Sequence, residues 1–355
     1  MAAWYRKPNT RFVSNSALVA ARLPSVAFGA LGCVSIFAIG SIAFDRRVGW
    51  VASMLLLVNP LYALHARRAM SDVPAESLIL ASLAAGLWSW RRMVSGRPGL
   101  LPGLVLVFGA GILGGLATLS KLNGSLAGMI LGVWALLAIA LPGPEKPGKL
   151  GFILGTIGAG IVSFATFALL NPFLFAHPPG PLGPATASLA RLGFFERVKL
   201  VADHRVELSA NARSIFPKDA LNTAGEKVKV LVVQGFGRFG PLGPRGRSDS
   251  TIRQSWAQDG GAVAWLPLVL LGFLASLAWG RTQLKAGEPP TAWAVASQAV
   301  VATGVVTAFI PLAWDRYFLS IQPGFALLGA AAFVAGFDLL AAPFVNRRGR
   351  SESEL

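Results

Sequence analysis

The sequence predicts an all-α polytopic membrane protein with about nine transmembrane helices and an external cap of helices and loops. Of its 355 residues, 54% are hydrophobic and only 14% are charged, whereas soluble domains carry about 25% charged residues. The mean hydropathy is +0.59. The charged residues cluster in short segments between long apolar runs, as expected for membrane spans and their connectors.

Nine apolar stretches are candidate spans. The second is the shortest at roughly 16 residues, and it would need a tilted neighbour or local thinning to cross a bilayer. The predicted spans are residues 22–44, 48–63, 73–90, 101–119, 122–141, 150–170, 262–280, 292–312 and 320–341.

The long polar stretch between the sixth and seventh spans is predicted to form the cap. It opens on a helix-breaking run, contains helical spacing of apolar residues over 188–212 and 219–234, and continues into a Gly/Pro/Arg-rich loop over 235–250. We therefore divide the chain into 1–21, the remnant of an external loop; 22–170, an N-terminal bundle of six spans that carries the site; 171–261, the extracytoplasmic cap; 262–341, three C-terminal spans; and 342–355, a cytoplasmic tail.

Lysine and arginine concentrate in alternate connectors between the predicted spans. An excess of these residues in short loops marks the cytoplasmic side. The basic connectors are Asp45–Arg47, Arg91–Arg97, Lys146–Lys149, Arg281–Lys285 and Arg347–Arg350.

The opposite connectors, residues 65–72, 120–123, 171–261 and 314–318, are then extracytoplasmic. We expect a multi-pass protein of the bacterial inner or plasma membrane with its active site on the extracytoplasmic face. The same alternation puts residues 1–21 outside, so we expect a further helix and external loop upstream of Met1.

Composition and motifs argue against several other classes. The net charge is +16, but the basic residues lie between apolar runs, so lipid headgroups explain them better than nucleic acid. The single Cys33 lies in an apolar run and the three histidines are far apart, so neither a disulfide nor a metal site is predicted. No Gly-rich phosphate loop follows a strand and no Gly-x-Ser-x-Gly elbow occurs, and no cofactor is expected.

One connector packs five ionisable residues into the twelve positions 65–76, which read HARRAMSDVPAE. Ionisable groups at or inside a bilayer face are costly and point to a functional site. The alternative is that the arginines are flanking charges and that Asp72 is the N-cap of the next helix. The five residues are His65, Arg67, Arg68, Asp72 and Glu76.

Two further basic residues belong to the same predicted face. Lys121 stands in a connection too short to be a flexible loop, and Arg316 lies in the run Trp314-Asp315-Arg316-Tyr317 at the outer end of the eighth span. Taken alone, Lys121 could snorkel and Arg316 could pair only with Asp315. Beside carboxylates, and together with the arginines of residues 65–76, they indicate an anion-binding site.

A lipid-linked phosphate suits such a site. Its tail would lie between helices, and its phosphate would be held by Arg67, Arg68, Lys121 or Arg316. A sugar that leaves this phosphate develops oxocarbenium character while negative charge grows on the phosphate, and cations stabilise that charge. A nearby carboxylate can take the proton of an attacking hydroxyl, and no metal is chemically required.

Several short motifs resemble those of one family. Arg22-Leu23-Pro24-Ser25, which opens a helix, is similar to the equivalent stretch of the lipid-carrier-dependent membrane glycosyltransferases with the type C fold. That superfamily includes the protein O-mannosyltransferases and the aminoarabinose transferases. The resemblance continues in order through Asp45–Gly49, Asn59–Pro60, Arg67–Asp72, Leu119–Lys121, Asn171–Phe173 and Asp315–Phe318.

The resemblance implies a polyprenyl-phosphate sugar as donor, inversion at the anomeric carbon and an extracytoplasmic site. The second acidic position of the family corresponds to Asp72, while its principal acidic residue lies in a first external loop that would precede this chain. We predict Asp72 as the catalytic carboxylate. The predicted ligands of the donor phosphate are Arg67, Arg68, Lys121 and Arg316, with His65, Glu76, Asp315 and Tyr317 in a second layer.

The predicted function is transfer of a sugar from a polyprenyl-phosphate donor to an acceptor hydroxyl or phosphate. The sequence indicates neither the donor sugar nor the acceptor, which could be a protein, a lipid or a glycan. One alternative is a transporter or lipid flippase, which would need internal repeats and polar groups at mid-membrane. Another is a non-catalytic, truncated homologue.

Overall fold

The computed structural model describes residues 15–68, 70–94, 100–140, 147–175, 192–238 and 265–352. Within these ranges the elements are helical, and the only strand-like contact is an isolated antiparallel bridge between Ala220 and Leu312. The predicted all-α class is confirmed. The helices are α1 (Asn15–Ala43), α2 (Arg46–Val58), α3 (Pro60–Ala66), α4 (Asp72–Val94), α5 (Leu100–Ser120), α6 (Leu126–Ala140), α7 (Pro147–Leu170), α8 (Pro172–Phe175), α9 (Phe194–Ile215), α10 (Ala224–Val230), α11 (Trp265–Lys285), α12 (Thr291–Phe309) and α13 (Gln322–Glu352).

Three short segments join these helices. The 3₁₀ turn Leu122–Ser125 precedes α6, and the 3₁₀ turn Asp315–Ile321 precedes α13. The π-helical segment Leu231–Arg238 continues α10. These segments, together with α3, lie next to the ionisable residues singled out in the sequence.

The described residues contain seven helices that are long and apolar enough to cross a membrane, and the pair α2–α3 would make an eighth. The predicted second span, residues 48–63, is not one straight helix, because the chain bends by 67° between α2 and α3. Asn59 causes the break: it ends α2, and its side-chain oxygen accepts hydrogen bonds from the backbone N–H groups of Leu61 and Tyr62 at the start of α3. Pro60 then suits the first position of the new helix.

The predicted third span corresponds to α4, which is not among the seven. Its 23 residues give it a length of about 34 Å, enough to cross a bilayer. It carries two acidic residues at its start and two arginines at its end, and these lower its apolar character. By length and apolar composition together, the described residues thus hold seven spans, or eight with the bent pair, where about nine were expected.

Helix α4 lies at the centre of the bundle, between α1 and α5, and most of its residues are buried. Two serine hydroxyls of α4 donate hydrogen bonds across to α5: Ser82 to the carbonyl oxygen of Ala110 and Ser89 to that of Gly103, both at 2.7 Å. Where lipid provides no hydrophobic drive between helices, such bonds and close packing hold helices together. These bonds hold the middle and the C-terminal half of α4 against α5.

Glycines let α5 and α7 approach closely. A Cβ added to Gly111 would lie 2.5 Å from the carbonyl oxygen of Ala159, and one added to Gly115 would lie 2.5 Å from that of Ser163. The spacing of these two glycines is the small-xxx-small pattern of membrane helix pairs. Residue Lys121 follows directly after α5, so this packing also fixes where its backbone stands.

One end of the bundle gathers the predicted cytoplasmic connectors and is called here the basic end. The carbonyl oxygen of Ile42 at the end of α1 accepts a hydrogen bond from Arg91 at 3.3 Å, and that of Ala43 accepts one from Gln283 at 2.8 Å. The ends of α1, α4 and α11 therefore meet there. Arg47 adds a two-pronged ion pair with Asp338 of α13, at 2.7 and 3.0 Å.

The opposite end carries the start of α4 and is called here the site end. The cap residues that the structure describes attach near it through the bridge between residues 219–221 and 311–313. Lys227 of α10 also donates a hydrogen bond to the carbonyl oxygen of Ala308, at 2.6 Å. At the start of α10, backbone N–H groups of Thr223 and Asn222 donate to the carboxylate of Glu226 and lower its pKa.

The helices expected over 188–212 and 219–234 correspond to α9 and to α10 with its π-helical continuation. The expected tail 342–355 begins as a continuation of α13, which extends to Glu352. Arg97, Lys146 and most of the Gly/Pro/Arg-rich loop lie outside the described residues, as do residues 1–14 and 176–191.

Candidate functional site

The core of the candidate site is an ion pair between Asp72 and Lys121. Asp72 is the first residue of α4, and Lys121 stands between α5 and the 3₁₀ turn before α6. The ammonium Nζ of Lys121 donates to Oδ1 of Asp72, and the side chains are only 18% and 6% exposed, respectively. Asp72 is therefore more than a helix cap, because its carboxylate holds a cation from another element.

The short connection around Lys121 fixes its position. The backbone of Lys121 is extended, with φ −162° and ψ 137°. Its N–H donates to the carbonyl oxygen of Ala117 at 2.9 Å, and its own carbonyl oxygen accepts from the N–H of Gly124 at 2.7 Å. Gly124 is buried against the backbone of α5, where an added Cβ would overlap Ala117 and Thr118. A bulkier residue at 124 would therefore displace the turn and Lys121 with it.

Glu76 lies one turn after Asp72 and is 3% exposed. Its carboxyl group accepts a hydrogen bond from the hydroxyl of Ser320 and interacts electrostatically with Lys121. Ser320 belongs to the 3₁₀ turn Asp315–Ile321. Glu76 thus joins this turn to the Asp72–Lys121 pair.

A second cluster lies at the other end of the same 3₁₀ turn. The carboxylate of Asp315 is 3.5 Å from Nε2 of His65 and 3.8 Å from the guanidinium of Arg68. His65 is 1% exposed, and within the described residues neither of its ring nitrogens makes a hydrogen bond. An acidic group and two basic groups therefore meet where α3 ends.

Arg316 is held by aromatic rings rather than by a carboxylate in the part of the chain that the structure describes. Its guanidinium carbon lies 4.7 Å from the ring centre of Trp314 and 5.4 Å from that of Tyr317. The neighbouring carboxylate of Asp315 accepts from the backbone N–H of Arg316 at 2.7 Å. The buried Nε of Arg316 has no hydrogen-bond partner among the described residues. The guanidinium of Arg316 therefore retains donors for an anionic ligand.

The cap reaches this cluster through Trp314. The indole Nε1 of Trp314 donates to Asp219 at 3.0 Å, and its ring packs edge-on against Phe216 with centres 4.9 Å apart. The ring that supports Arg316 is therefore positioned by residues of the cap.

The structure brings together most of the predicted site residues in two clusters joined by the turn 315–321. Arg67 is the exception: it is exposed, and its Nε donates to the carbonyl oxygen of Ala63 at 3.1 Å within its own helix. Its neighbour Arg68 is the arginine that pairs with Asp315. That these residues bind donor phosphate stays a prediction.

Sequence reasoning missed the buried amides that support the site. Nδ2 of Asn59 donates to Oε1 of Gln322 at 2.9 Å, and Nε2 of Gln322 donates to the carbonyl oxygen of Gly235 at 3.3 Å. They join the α2–α3 break to α13 and to the π-helical segment of the cap. The Asn59–Pro60 pair was a readable signal for a helix start, but nothing in the sequence links it to Gln322 or to Ser320.

The arrangement offers two kinds of chemistry. Lys121, Arg68 and Arg316 can hold an anion, whereas Asp72 and Glu76 can accept a proton. Among the described residues no group of three or more His, Cys, Asp or Glu side chains is arranged to hold a metal ion. A site of this composition suits a phosphate-bearing ligand.

Comparison with protein families agrees with the predicted resemblance. Residues 1–170 match the family described as dolichyl-phosphate-mannose-protein mannosyltransferase, a range that contains Asp72 and Lys121. No curated protein matches the chain.

Solved structures share the fold. The chain is similar to the Archaeoglobus fulgidus oligosaccharyltransferase tethered to an acceptor peptide containing the NVT sequon, with a TM-score of 0.55 and 17% identity over 93% of this chain. It is equally similar to the archaeal oligosaccharyltransferase AglB from Archaeoglobus fulgidus in complex with an inhibitory peptide and a dolichol-phosphate. Here the TM-score is 0.55 and the sequence identity is 17% over 95% of this chain. The chain spans only 40% and 41% of those two chains, and at this identity the likeness shows the fold alone.

ArnT from Cupriavidus metallidurans in the apo state is also similar, with a TM-score of 0.47 and 15% identity, covering 91% of this chain and 50% of that chain. The predicted resemblance to the type C membrane glycosyltransferases is confirmed by the family match and the AglB fold.

Proposed function

We propose that this multi-pass membrane protein, whose residues 1–170 match the dolichyl-phosphate-mannose-protein mannosyltransferase family, transfers a sugar from a polyprenyl-phosphate donor to an acceptor hydroxyl or phosphate. The observation that supports this most is the buried Asp72–Lys121 pair at the end of a membrane helix. Ionisable residues at or inside a bilayer face are costly and indicate a functional site.

The donor phosphate would lie between the two clusters. Arg316 supplies donors that the described residues leave unused, Arg68 is partly exposed, and Lys121 has three N–H donors, of which Asp72 needs one. The phosphate can therefore bind beside the ion pair without breaking it. A solved AglB structure in complex with a dolichol-phosphate supports a lipid phosphate as the class of donor.

The chemistry follows from these roles. The acceptor oxygen attacks the anomeric carbon, its proton passes to the carboxylate of Asp72, and the bond between that carbon and the phosphate oxygen breaks. The electron pair stays with the phosphate, whose growing negative charge Lys121 and Arg316 stabilise. Glu76 holds the turn 315–321 against Lys121, so that both cations keep their positions during the transfer.

We place this reaction on the extracytoplasmic face. The site end lies opposite the basic end, where Arg46, Arg47, Arg91 and Arg92 gather. An excess of arginine and lysine in short connectors marks the cytoplasmic side. The site end then faces outward.

Membranes from cells that express the chain provide the test. They are incubated with a polyprenyl-phosphate sugar labelled in the sugar, and the labelled products are identified. We expect the unchanged protein to transfer label from the donor to an acceptor. Asp72→Asn and Lys121→Ala should each lower the rate of this transfer at least a hundredfold. Lys285→Ala, which removes a lysine at the basic end, is the matched control and should leave transfer intact.

Two outcomes would overturn the proposal. If Asp72→Asn and Lys121→Ala both keep transfer while present in the membrane at normal amounts, the pair is not the site. If the unchanged protein moves no label to any acceptor but still binds the labelled donor, it is a non-catalytic homologue.

A further inference from the structure

A groove lies between α4 and α5 near the basic end, far from the site described above. Its volume is about 370 Å³. Its walls are almost wholly apolar, and three of the side chains are large and open to the surroundings: Trp88 is 47% exposed, Leu101 73% and Val105 64%. The lining residues are Trp88, Arg92, Leu101, Pro102, Val105 and Leu106.

One cation stands at the mouth of this groove. The guanidinium carbon of Arg92 lies 5.3 Å from the ring centre of Trp88, one turn earlier on the same helix. This distance is within the range of a cation–π contact, which holds the guanidinium over the ring and leaves its N–H groups free at the edge. No carboxylate pairs with Arg92 among the residues that the structure describes.

The neighbouring arginine does not compete for the same role. Arg91 donates to the carbonyl oxygen of Ile42 at 3.3 Å and is turned into the bundle. Arg92 is exposed. Of the two arginines that end α4, Arg91 therefore ties the helix to α1 and Arg92 is exposed on the surface of the bundle.

We infer that this groove binds an anionic phospholipid of the leaflet at the basic end. Its phosphate lies on Arg92, and one acyl chain lies along Leu101, Val105 and Leu106. Charge complementarity supports this occupant, because a free cation at a membrane surface attracts acidic headgroups. The apolar groove beside that cation can bind the acyl chain of the lipid, whereas a surface charge alone would bind only its headgroup. The inference stands independently of the proposed sugar transfer.

The experiment is native mass spectrometry of the full chain, released from detergent in the presence of dioleoyl phosphatidylglycerol or dioleoyl phosphatidylcholine. We expect phosphatidylglycerol to bind the unchanged protein more tightly than phosphatidylcholine. Arg92→Gln should weaken the tightest phosphatidylglycerol site about fivefold, the effect of one cation near a membrane surface. Val105→Trp, which fills the groove without changing charge, should weaken binding of both lipids at this site.

Arg281→Gln is the matched control, since Arg281 is also exposed and lies on α11 near the basic end but outside the groove. It should leave the tightest site unchanged. Equal weakening by Arg281→Gln and Arg92→Gln would overturn the proposal, because it would mean a general charge effect. Equal affinity for the two lipids, or displacement of the lipid by millimolar inorganic phosphate, would overturn it as well.

Discussion

Single buried polar residues hold the site end together, and Asn59 is the clearest example. Its side-chain oxygen accepts from two backbone N–H groups of α3, and its side-chain nitrogen donates to Gln322 of α13. It is 3% exposed, so none of these groups would find water if the partner were removed. One residue thus fixes the α2–α3 break and joins it to the last helix.

We predict that Asn59→Ala lowers the free energy of unfolding by about 2–3 kcal/mol, from the lost helix cap at about 1 kcal/mol and the unpaired buried amide of Gln322 at about 1–2 kcal/mol. The measurement is unfolding in mixed micelles titrated with sodium dodecyl sulfate. Asn211→Ala on the exposed face of α9 is the control and should change stability by less than about 0.5 kcal/mol. Equal effects of the two substitutions would contradict the role given to Asn59.

At the residue scale, the sequence predicted most of the residues that lie together at this end of the bundle but not how they pair. Asp72 and Lys121 were both expected there from their charge at a membrane boundary. Arg67 and Arg68 could not be told apart in the sequence. They are adjacent and of the same type, and the backbone conformation at the end of α3 decides where each side chain points. The structure directs Arg68 to Asp315 and Arg67 to its own helix, an outcome that depends on the turn after α3.

At the scale of elements, the short 3₁₀ turn Leu122–Ser125 positions Lys121 of the candidate site. It is held against α5 by the hydrogen bonds of Lys121 and by the close approach of Gly124 to the α5 backbone. These contacts hold the backbone of Lys121 against α5. The ammonium is positioned by packing instead of by a flexible loop.

Gly124→Ala should therefore displace the turn and weaken binding of a polyprenyl phosphate at least tenfold, while Gly128→Ala should leave it unchanged. An added Cβ overlaps backbone atoms of α5 at Gly124 but meets nothing within 4 Å at Gly128. The measurement is retention of radiolabelled polyprenyl phosphate by the purified protein in detergent. Unchanged binding by the Gly124 variant would show that the turn does not position the lysine.

The helices themselves were mostly readable from the sequence, because apolar runs of membrane length have few alternatives. Two elements departed from the expected spans for physical reasons. Asn59 and Pro60 broke the second span by capping a new helix inside an apolar run. Helix α4 keeps its charges at both ends and buries its middle against α1 and α5, so its position comes from packing more than from contact with lipid.

On the scale of the whole molecule, the two ends of the bundle differ in how their charges are used. At the basic end, Arg91 bonds to the carbonyl oxygen of Ile42 at the end of α1, and Arg47 pairs with Asp338 of α13. At the site end, cations and carboxylates from α3, α4, the connection after α5 and the turn 315–321 are brought close to one another. This convergence required helices far apart in the chain to pack together, which no local sequence pattern could specify.

A double-mutant cycle shows whether Lys121 and Arg316 act on one donor phosphate. The affinity for a polyprenyl phosphate is measured for the unchanged protein, for Lys121→Ala, for Arg316→Ala and for the double variant. Each single change should weaken binding about tenfold or more, as for a charged hydrogen bond. The two effects should be non-additive by more than about 0.5 kcal/mol, as for residues that share a partner. Effects that add within about 0.3 kcal/mol would contradict the claim, because they would place the two cations at independent sites.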